Sequence, residues 1–117
     1  AIDKNTFSVY DNESVRQAIP HGKKNVILCG IEAHICVLQS LMDLQAAGYQ
    51  TILVADCVAS RSDRDLVFAY ERAKQEGAII TSAEAILYEL AGSSKHPELK
   101  TISALVKEKG MMNGEKK

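Results

Sequence analysis

Cys36 is the residue whose type and position offer the most informative chemistry. It follows the apolar run at residues 25–30, which ends in glycine, and it opens a segment whose apolar residues recur at helical spacing. The dipole of a helix N-terminus favours the thiolate form of a cysteine there, and the thiolate is the nucleophile. Free amides of the same turn can stabilise an oxyanion. The position therefore suits attack on a carbonyl; a buried structural cysteine is the alternative.

The other residues of reactive type carry weaker signals. Cys29 lies inside the apolar run and Cys57 directly follows the next one, so both are interpreted as structural residues. His34 precedes Cys36 by two residues, a spacing that does not bring two helical side chains together, and we expect it to face solvent or cap the helix. No Cys or His pair has zinc spacing, so neither a metal site nor a cofactor is predicted.

Apolar runs that alternate with helical patterns must position these residues. The predicted strands cover residues 25–30, 51–56 and 78–81. The predicted helices run over residues 34–47, from Ser62 to Gly77, from a Thr81/Glu84 capping box to Gly92, and from His96 onward. This alternation predicts an α/β fold with a parallel sheet and helices on both faces. Chemistry in such sheets lies at the carboxyl ends of the strands, which is where Cys36 stands.

Composition excludes several classes of protein. The 117 residues suit one domain, and 14 basic against 15 acidic residues give a net charge of -1, which argues against a nucleic-acid binder with a broad basic face. No apolar run approaches the roughly 20 residues needed to cross a membrane. Three cysteines without a regular framework favour a reducing, cytoplasmic compartment.

Five motifs resemble, in their order and spacing, the isochorismatase-like family of cysteine hydrolases, which includes nicotinamidases, N-carbamoylsarcosine amidases and isochorismatases. The motifs are V-I-L-C-G at residues 26–30, G-x-x-x-x-x-C-V at 30–37, D-x-x-x-S at 56–60, T-S-A-E at 81–84 and K-x-x-F-S at 4–8. The variant E-A-H-I-C is most similar to small isochorismatase domain-containing proteins of unassigned substrate.

The resemblance implies a catalytic triad of Cys, Lys and Asp. By position, Cys36 is the nucleophile and Lys4 is the cation that favours its thiolate. The Asp, a general base, precedes the Lys by tens of residues in the family; Asp3 does not match it, so the Asp lies outside these 117 residues. The family also has a cis peptide that corresponds to Ile31–Glu32. It turns the N–H of Glu32 toward that of Cys36 to form an oxyanion hole.

The resemblance also implies the larger architecture. The family fold is a three-layer α/β/α sandwich around a six-stranded parallel sheet. This chain would supply its C-terminal part, with the N-terminal strands missing, as a hydrolase domain over residues 1–110 and a flexible tail over 111–117. Because a partial sheet leaves an open edge, and because family members associate, we expect a homo-oligomer that acts on a small-molecule substrate.

Three functional hypotheses follow from the sequence. The first is a cysteine hydrolase that cleaves a small amide or related carbonyl compound through a Cys-thioester intermediate. The second is a non-catalytic binding or scaffold protein of the same fold, which the missing Asp favours. The third, a dinucleotide-binding domain, is disfavoured because no G-x-G-x-x-G follows a strand.

Overall fold

The structure is a computed structural model that describes residues 6–108, which form two compact units divided between Thr81 and Ser82. The first unit contains a 3₁₀ turn (Val9–Asp11), α1 (Glu13–Ala18), β1 (Asn25–Ile31), a π-helical segment (Ala33–Val37), α2 (Leu38–Ala46), β2 (Gln50–Ala59), α3 (Asp63–Gln75) and β3 (Ile79–Thr81). The second unit contains α4 (Ala83–Ala91) and α5 (Leu99–Glu108).

The three strands form one parallel sheet in the order β1-β2-β3, which confirms the predicted α/β fold. Leu28, Leu53 and Ile80 are register partners and share one face of the sheet. Helices α2 and α3 cover this face and contribute buried residues such as Leu41 and Ala69 to the same hydrophobic cluster. Alternate residues of each strand point to this face, which is why the short apolar runs form strands that carry a helix layer.

The pairing of β1 with β2 changes register just before the strands end. Leu28 pairs with Leu53, but Gly30 pairs with Val58, so β2 advances five residues where β1 advances two. Gly30 has a φ of 122°, a conformation that a side chain would strain. The extra residues in β2 extend it past the predicted end at residue 56 to Ala59 and bring residues 60 and 61 beside the loop after β1.

The end of β3 corrects one predicted helix cap. The proposed Thr81/Glu84 capping box is wrong: the N-cap of α4 is Ser82, whose hydroxyl accepts a hydrogen bond from the amide of Ala85 at 3.1 Å. Thr81 pairs with Val54 in the sheet, so its backbone is part of β3 and the N-cap of the helix lies one residue later. Ser62, by contrast, caps α3 as predicted.

Two helices near the ends of the described range also differ from the sequence interpretation. Helix α1 was not predicted; it has six residues, too few for a periodic apolar pattern, and its cap is the side chain of Asn12, which accepts from the amide of Val15. The last helix begins at Leu99 rather than at His96, whose imidazole accepts from the amide of Glu98 and so belongs to the preceding turn.

No helix between residues 6 and 108 is long and apolar enough to cross a membrane.

The second unit is a helix pair in which the hydroxyls of Tyr88 and Ser103 are hydrogen-bonded at 3.0 Å. The division of the chain into a domain over residues 1–110 and a tail over 111–117 stays a prediction, and the tail lies outside the described residues.

Candidate active site

The turn after β1 presents Cys36 in an unusual helical geometry. The peptide bond between Ile31 and Glu32 is cis, at the position that the family resemblance implies. The carbonyl of Glu32 then accepts hydrogen bonds from the amides of Ile35 at 3.1 Å and Val37 at 3.3 Å, the two residues that flank Cys36. The bond from Val37 spans five residues, which defines the π-helical segment, and single π turns occur frequently at functional sites.

Cys36 is half-buried and lines a cavity of about 210 Å³. The cavity is mainly apolar, and its lining residues are Val9, Leu28, Cys29, Ile31, Cys36, Val37 and Ser40. This volume exceeds that of one water, about 30 Å³, and lies below the roughly 300–1,000 Å³ of pockets for drug-sized ligands. Cys36 is therefore placed where a small molecule can reach it, which favours the reactive over the structural interpretation.

Two residues that follow β1, Glu32 and His34, make polar contacts with residues that follow β2. The carboxylate of Glu32 accepts from the amide of Arg61 at 2.9 Å and forms an ion pair with its guanidinium at 3.0 Å. The imidazole of His34 is hydrogen-bonded through Nδ1 to the hydroxyl of Ser60 at 2.9 Å, and its Nε2 lies 3.7 Å from the carboxylate of Asp65. The expectation that His34 faces solvent or caps the helix is therefore wrong, because the register change places Ser60 beside it.

Ser40 is a site residue that the sequence analysis missed. Its hydroxyl donates to the carbonyl of Cys36 at 2.6 Å and accepts from the amide of Val9 at 2.9 Å, and only 2% of its surface is exposed. One feature of the sequence could have indicated it: Ser40 is a polar residue among the apolar residues Val37, Leu38 and Leu41. It also follows Cys36 by four residues, the spacing at which a serine hydroxyl in a helix can bond to an earlier carbonyl.

The segment before α1 is held by local hydrogen bonds. The hydroxyl of Thr6 donates to the carbonyl of Ser8 at 2.9 Å, and the hydroxyl of Ser8 accepts from the amide of Tyr10 at 3.2 Å. Lys4, the predicted catalytic cation, lies outside the described residues. The pairing of Lys4 with Cys36 therefore stays a prediction.

Cys29 and Cys57 are free thiols on exposed positions, which does not fit the expected buried structural role. Cys29 lies on the face of β1 opposite Leu28, away from the hydrophobic cluster of α2 and α3. Partial burial raises the pKa of the Cys57 thiol, and the negative charge of Asp56 and the neighbouring Cys29 add to this shift. Among residues 6–108, no group of three or more His, Cys, Asp or Glu side chains could hold a metal ion.

A comparison with known families decides the membership of the chain. The family model described as "Isochorismatase domain" matches residues 1–85, well over half of the sequence. The chain belongs to the isochorismatase family. Within this family, the chain is 43% identical over 109 residues to the "Secreted isochorismatase effector Isc1" of Phytophthora sojae (strain P6497), an alignment that covers 92% of the chain and 52% of that protein. The chain thus spans about half the length of the isochorismatase relatives that it matches.

Two experimental structures of isochorismatase-like proteins resemble the chain. "MAR1 Ribonuclease from Caenorhabditis elegans" is 42% identical, with a TM-score of 0.76, covering 89% of the chain and 53% of that protein. The pyrazinamidase/nicotinamidase of Streptococcus mutans UA159 is 30% identical, with a TM-score of 0.60, covering 68% of the chain and 45% of that protein. Both likenesses agree with the predicted three-layer isochorismatase-like fold.

Proposed function

We propose that this chain is part of a cysteine hydrolase that cleaves a small amide or related carbonyl compound through a thioester on Cys36. The observation that carries the proposal is the position of Cys36, half-buried on the wall of the 210 Å³ cavity at the carboxyl end of β1. In parallel α/β sheets this end of a strand is where ligands bind. Membership of the isochorismatase family and the likeness to a nicotinamidase support hydrolysis.

The reaction has two halves. The thiolate of Cys36 attacks the carbonyl carbon, a C–S bond forms, and the carbonyl π electrons move onto oxygen to give a tetrahedral oxyanion. Collapse of this intermediate breaks the C–N bond, and the amine leaves after it takes up a proton. Water then attacks the thioester carbon and gives one proton to the acid–base group, the C–S bond breaks, the carboxylic acid leaves, and Cys36 is regenerated as the thiolate.

The surrounding groups divide the remaining work. In the proposal, Lys4 stabilises the thiolate, and the amides of Glu32 and Cys36 donate to the oxyanion. Support comes from the turn itself: the amides of Ile35 and Val37 bond to the carbonyl of Glu32, which fixes the backbone on both sides of Cys36. The proton transfers require an acid–base group, which the family assigns to an Asp that no residue of this chain matches.

A binding or scaffold protein of the same fold is the competing hypothesis, and the reactivity of the thiols separates the two. At pH 6 we expect iodoacetamide to alkylate Cys36 at least about tenfold faster than Cys57 or free cysteine, because a cation and oriented amides favour its thiolate. The raised pKa of Cys57 leaves less thiolate at any given pH, so its labelling should become rapid only in alkaline solution. Site-resolved mass spectrometry measures the alkylation rate of each cysteine. A Cys36→Ser variant, which lacks this thiol, shows which alkylated peptide contains Cys36.

Alkylation of Cys36 no faster than that of free cysteine at pH 6 would favour the scaffold. In that case the cavity would be a binding site without an activated nucleophile. Equal rates at Cys36 and Cys57 over the whole pH range would lead to the same conclusion.

The C. elegans neighbour is described as a ribonuclease. For the present chain, a net charge of -1 gives no general attraction to the phosphates of RNA, and the mainly apolar cavity suits a small neutral molecule better than a polyanion. We therefore place small amides first, and incubation with single-stranded RNA serves as the comparison assay.

A homo-oligomer is part of the proposal. Ile27, Ile52 and Ile79 are register partners across the three strands, and Ile27 and Ile79 are about half exposed. Burying such apolar surface would favour association. We expect light scattering of the complete protein to show a particle larger than one chain; a monodisperse particle of monomer mass would contradict this.

The cytoplasmic location stays a prediction, and the P. sojae relative is named a secreted protein.

A further inference from the structure

We propose that Ser40 is a positioning residue, whose buried hydroxyl joins the backbone of Cys36 to Val9 and so holds the nucleophile on the wall of its cavity. This inference rests on the proposed function and adds a residue to it. Ser40 itself touches neither the substrate nor the reacting atoms in this scheme; it acts through the two segments that it connects.

The hydrogen bonds of Ser40 give the physical basis. A serine hydroxyl can donate one hydrogen bond and accept others, and here it does both: it donates to the carbonyl of Cys36 at 2.6 Å and accepts from the amide of Val9 at 2.9 Å. The second bond joins residues that are 31 positions apart in the sequence. With 2% of Ser40 exposed, little water competes for either bond.

The contact at Val9 fixes more than one residue. Val9 begins the 3₁₀ turn, which Ser8 caps, and Thr6 is bonded to the carbonyl of Ser8. Residues 6–10 therefore form a locally bonded segment that is attached to α2 through Ser40.

Helix stability by itself gives no reason for a serine at this position. Alanine has the higher helix propensity, and the bond from a serine hydroxyl to the carbonyl four residues earlier slightly destabilises a helix. Val9 and Ser40 both line the cavity of Cys36, so the bond between them also forms part of the cavity wall. The position is explained by the connection that the hydroxyl makes.

The test is the rate at which iodoacetamide alkylates Cys36 at pH 6 in the complete protein, with Cys57 as an internal reference. We expect Ser40→Ala to slow alkylation of Cys36 about tenfold and to leave that of Cys57 unchanged, because the turn of Cys36 is no longer bonded to Val9 through the hydroxyl. Ser40→Thr keeps the hydroxyl and should stay within about twofold of the wild type. Gln39→Ala, a change at an exposed neighbour on α2, is the matched control and should leave both rates unchanged.

The outcomes separate this role from the proposed function. Faster alkylation of Cys36 than of free cysteine in the wild type, with an unchanged rate in Ser40→Ala, would overturn the role of Ser40 and leave the proposed function intact. A rate that falls in Ser40→Thr as far as in Ser40→Ala would also contradict the role of the hydroxyl. Alkylation of wild-type Cys36 no faster than that of free cysteine would contradict the proposed function itself.

Hydrogen exchange of the wild-type protein tests the same contact without any substitution. The amide of Val9 should exchange at least about tenfold more slowly than an unbonded amide, because Ser40 accepts its hydrogen bond in a buried site. Exchange of the Val9 amide at the unprotected rate would contradict the proposal even if Ser40→Ala failed to fold.

Discussion

Replacing Cys36 with alanine is expected to lower kcat/KM for amide hydrolysis by about 10⁴-fold or more. The substitution removes the atom that forms the thioester, and the second thiol on the cavity wall, Cys29, lies within β1 rather than in the turn that carries Cys36. Ammonia release from nicotinamide and other small primary amides, assayed with the complete protein, measures the effect. Nicotinamide comes first because the S. mutans neighbour is described as a pyrazinamidase/nicotinamidase.

Cys57→Ala is the matched control for this experiment. Cys57 is also a free thiol near the end of a strand, but it does not line the cavity of Cys36, and its removal should change kcat/KM by less than about threefold. Equal turnover by the wild type and Cys36→Ala on every accepted amide would end the thioester mechanism. Loss of activity in both variants, with normal folding, would point to a general role of the thiols rather than to one nucleophile.

Leu41→Ala is expected to lower the free energy of unfolding by about 3 kcal/mol, within the roughly 2–5 kcal/mol seen for buried leucines. Leu41 has no exposed surface and belongs to the cluster between α2 and the sheet, together with Leu53 and Ala69. The substitution removes apolar contacts and leaves a cavity that the close-packed neighbours fill only in part. Urea-induced unfolding followed by circular dichroism measures the difference.

The same substitution at an exposed position separates packing from helix propensity. Leu90 lies in α4 and is 67% exposed, so Leu90→Ala should change the free energy of unfolding by less than about 0.5 kcal/mol. A loss at Leu41 no larger than that at Leu90 would mean that the cluster between α2 and the sheet contributes little to stability. It would also weaken the view that this packing supports the turn of Cys36.

The sequence by itself determined the order of the main elements, the parallel sheet and the placement of Cys36 at a strand end. These features depend on local patterns. Apolar runs that end in glycine form buried strands. Ser62 begins α3 and Gly92 ends α4 through hydrogen bonds to residues three or four positions away. Such signals act over a few residues. They failed at the start of α4, where the partner of Thr81 in the sheet, Val54, decided the boundary.

Only the tertiary structure decided how the turn of Cys36 is supported. The advance of five residues in β2 against two in β1 brings Ser60 to His34, which is 26 positions away, and Ser40 meets Val9 across 31 positions. No periodicity encodes these contacts, because a hydrogen bond between two elements depends on the register of the sheet and on the angle at which a helix packs on it. Both are set by the burial of the whole core, not by the residues that make the bond.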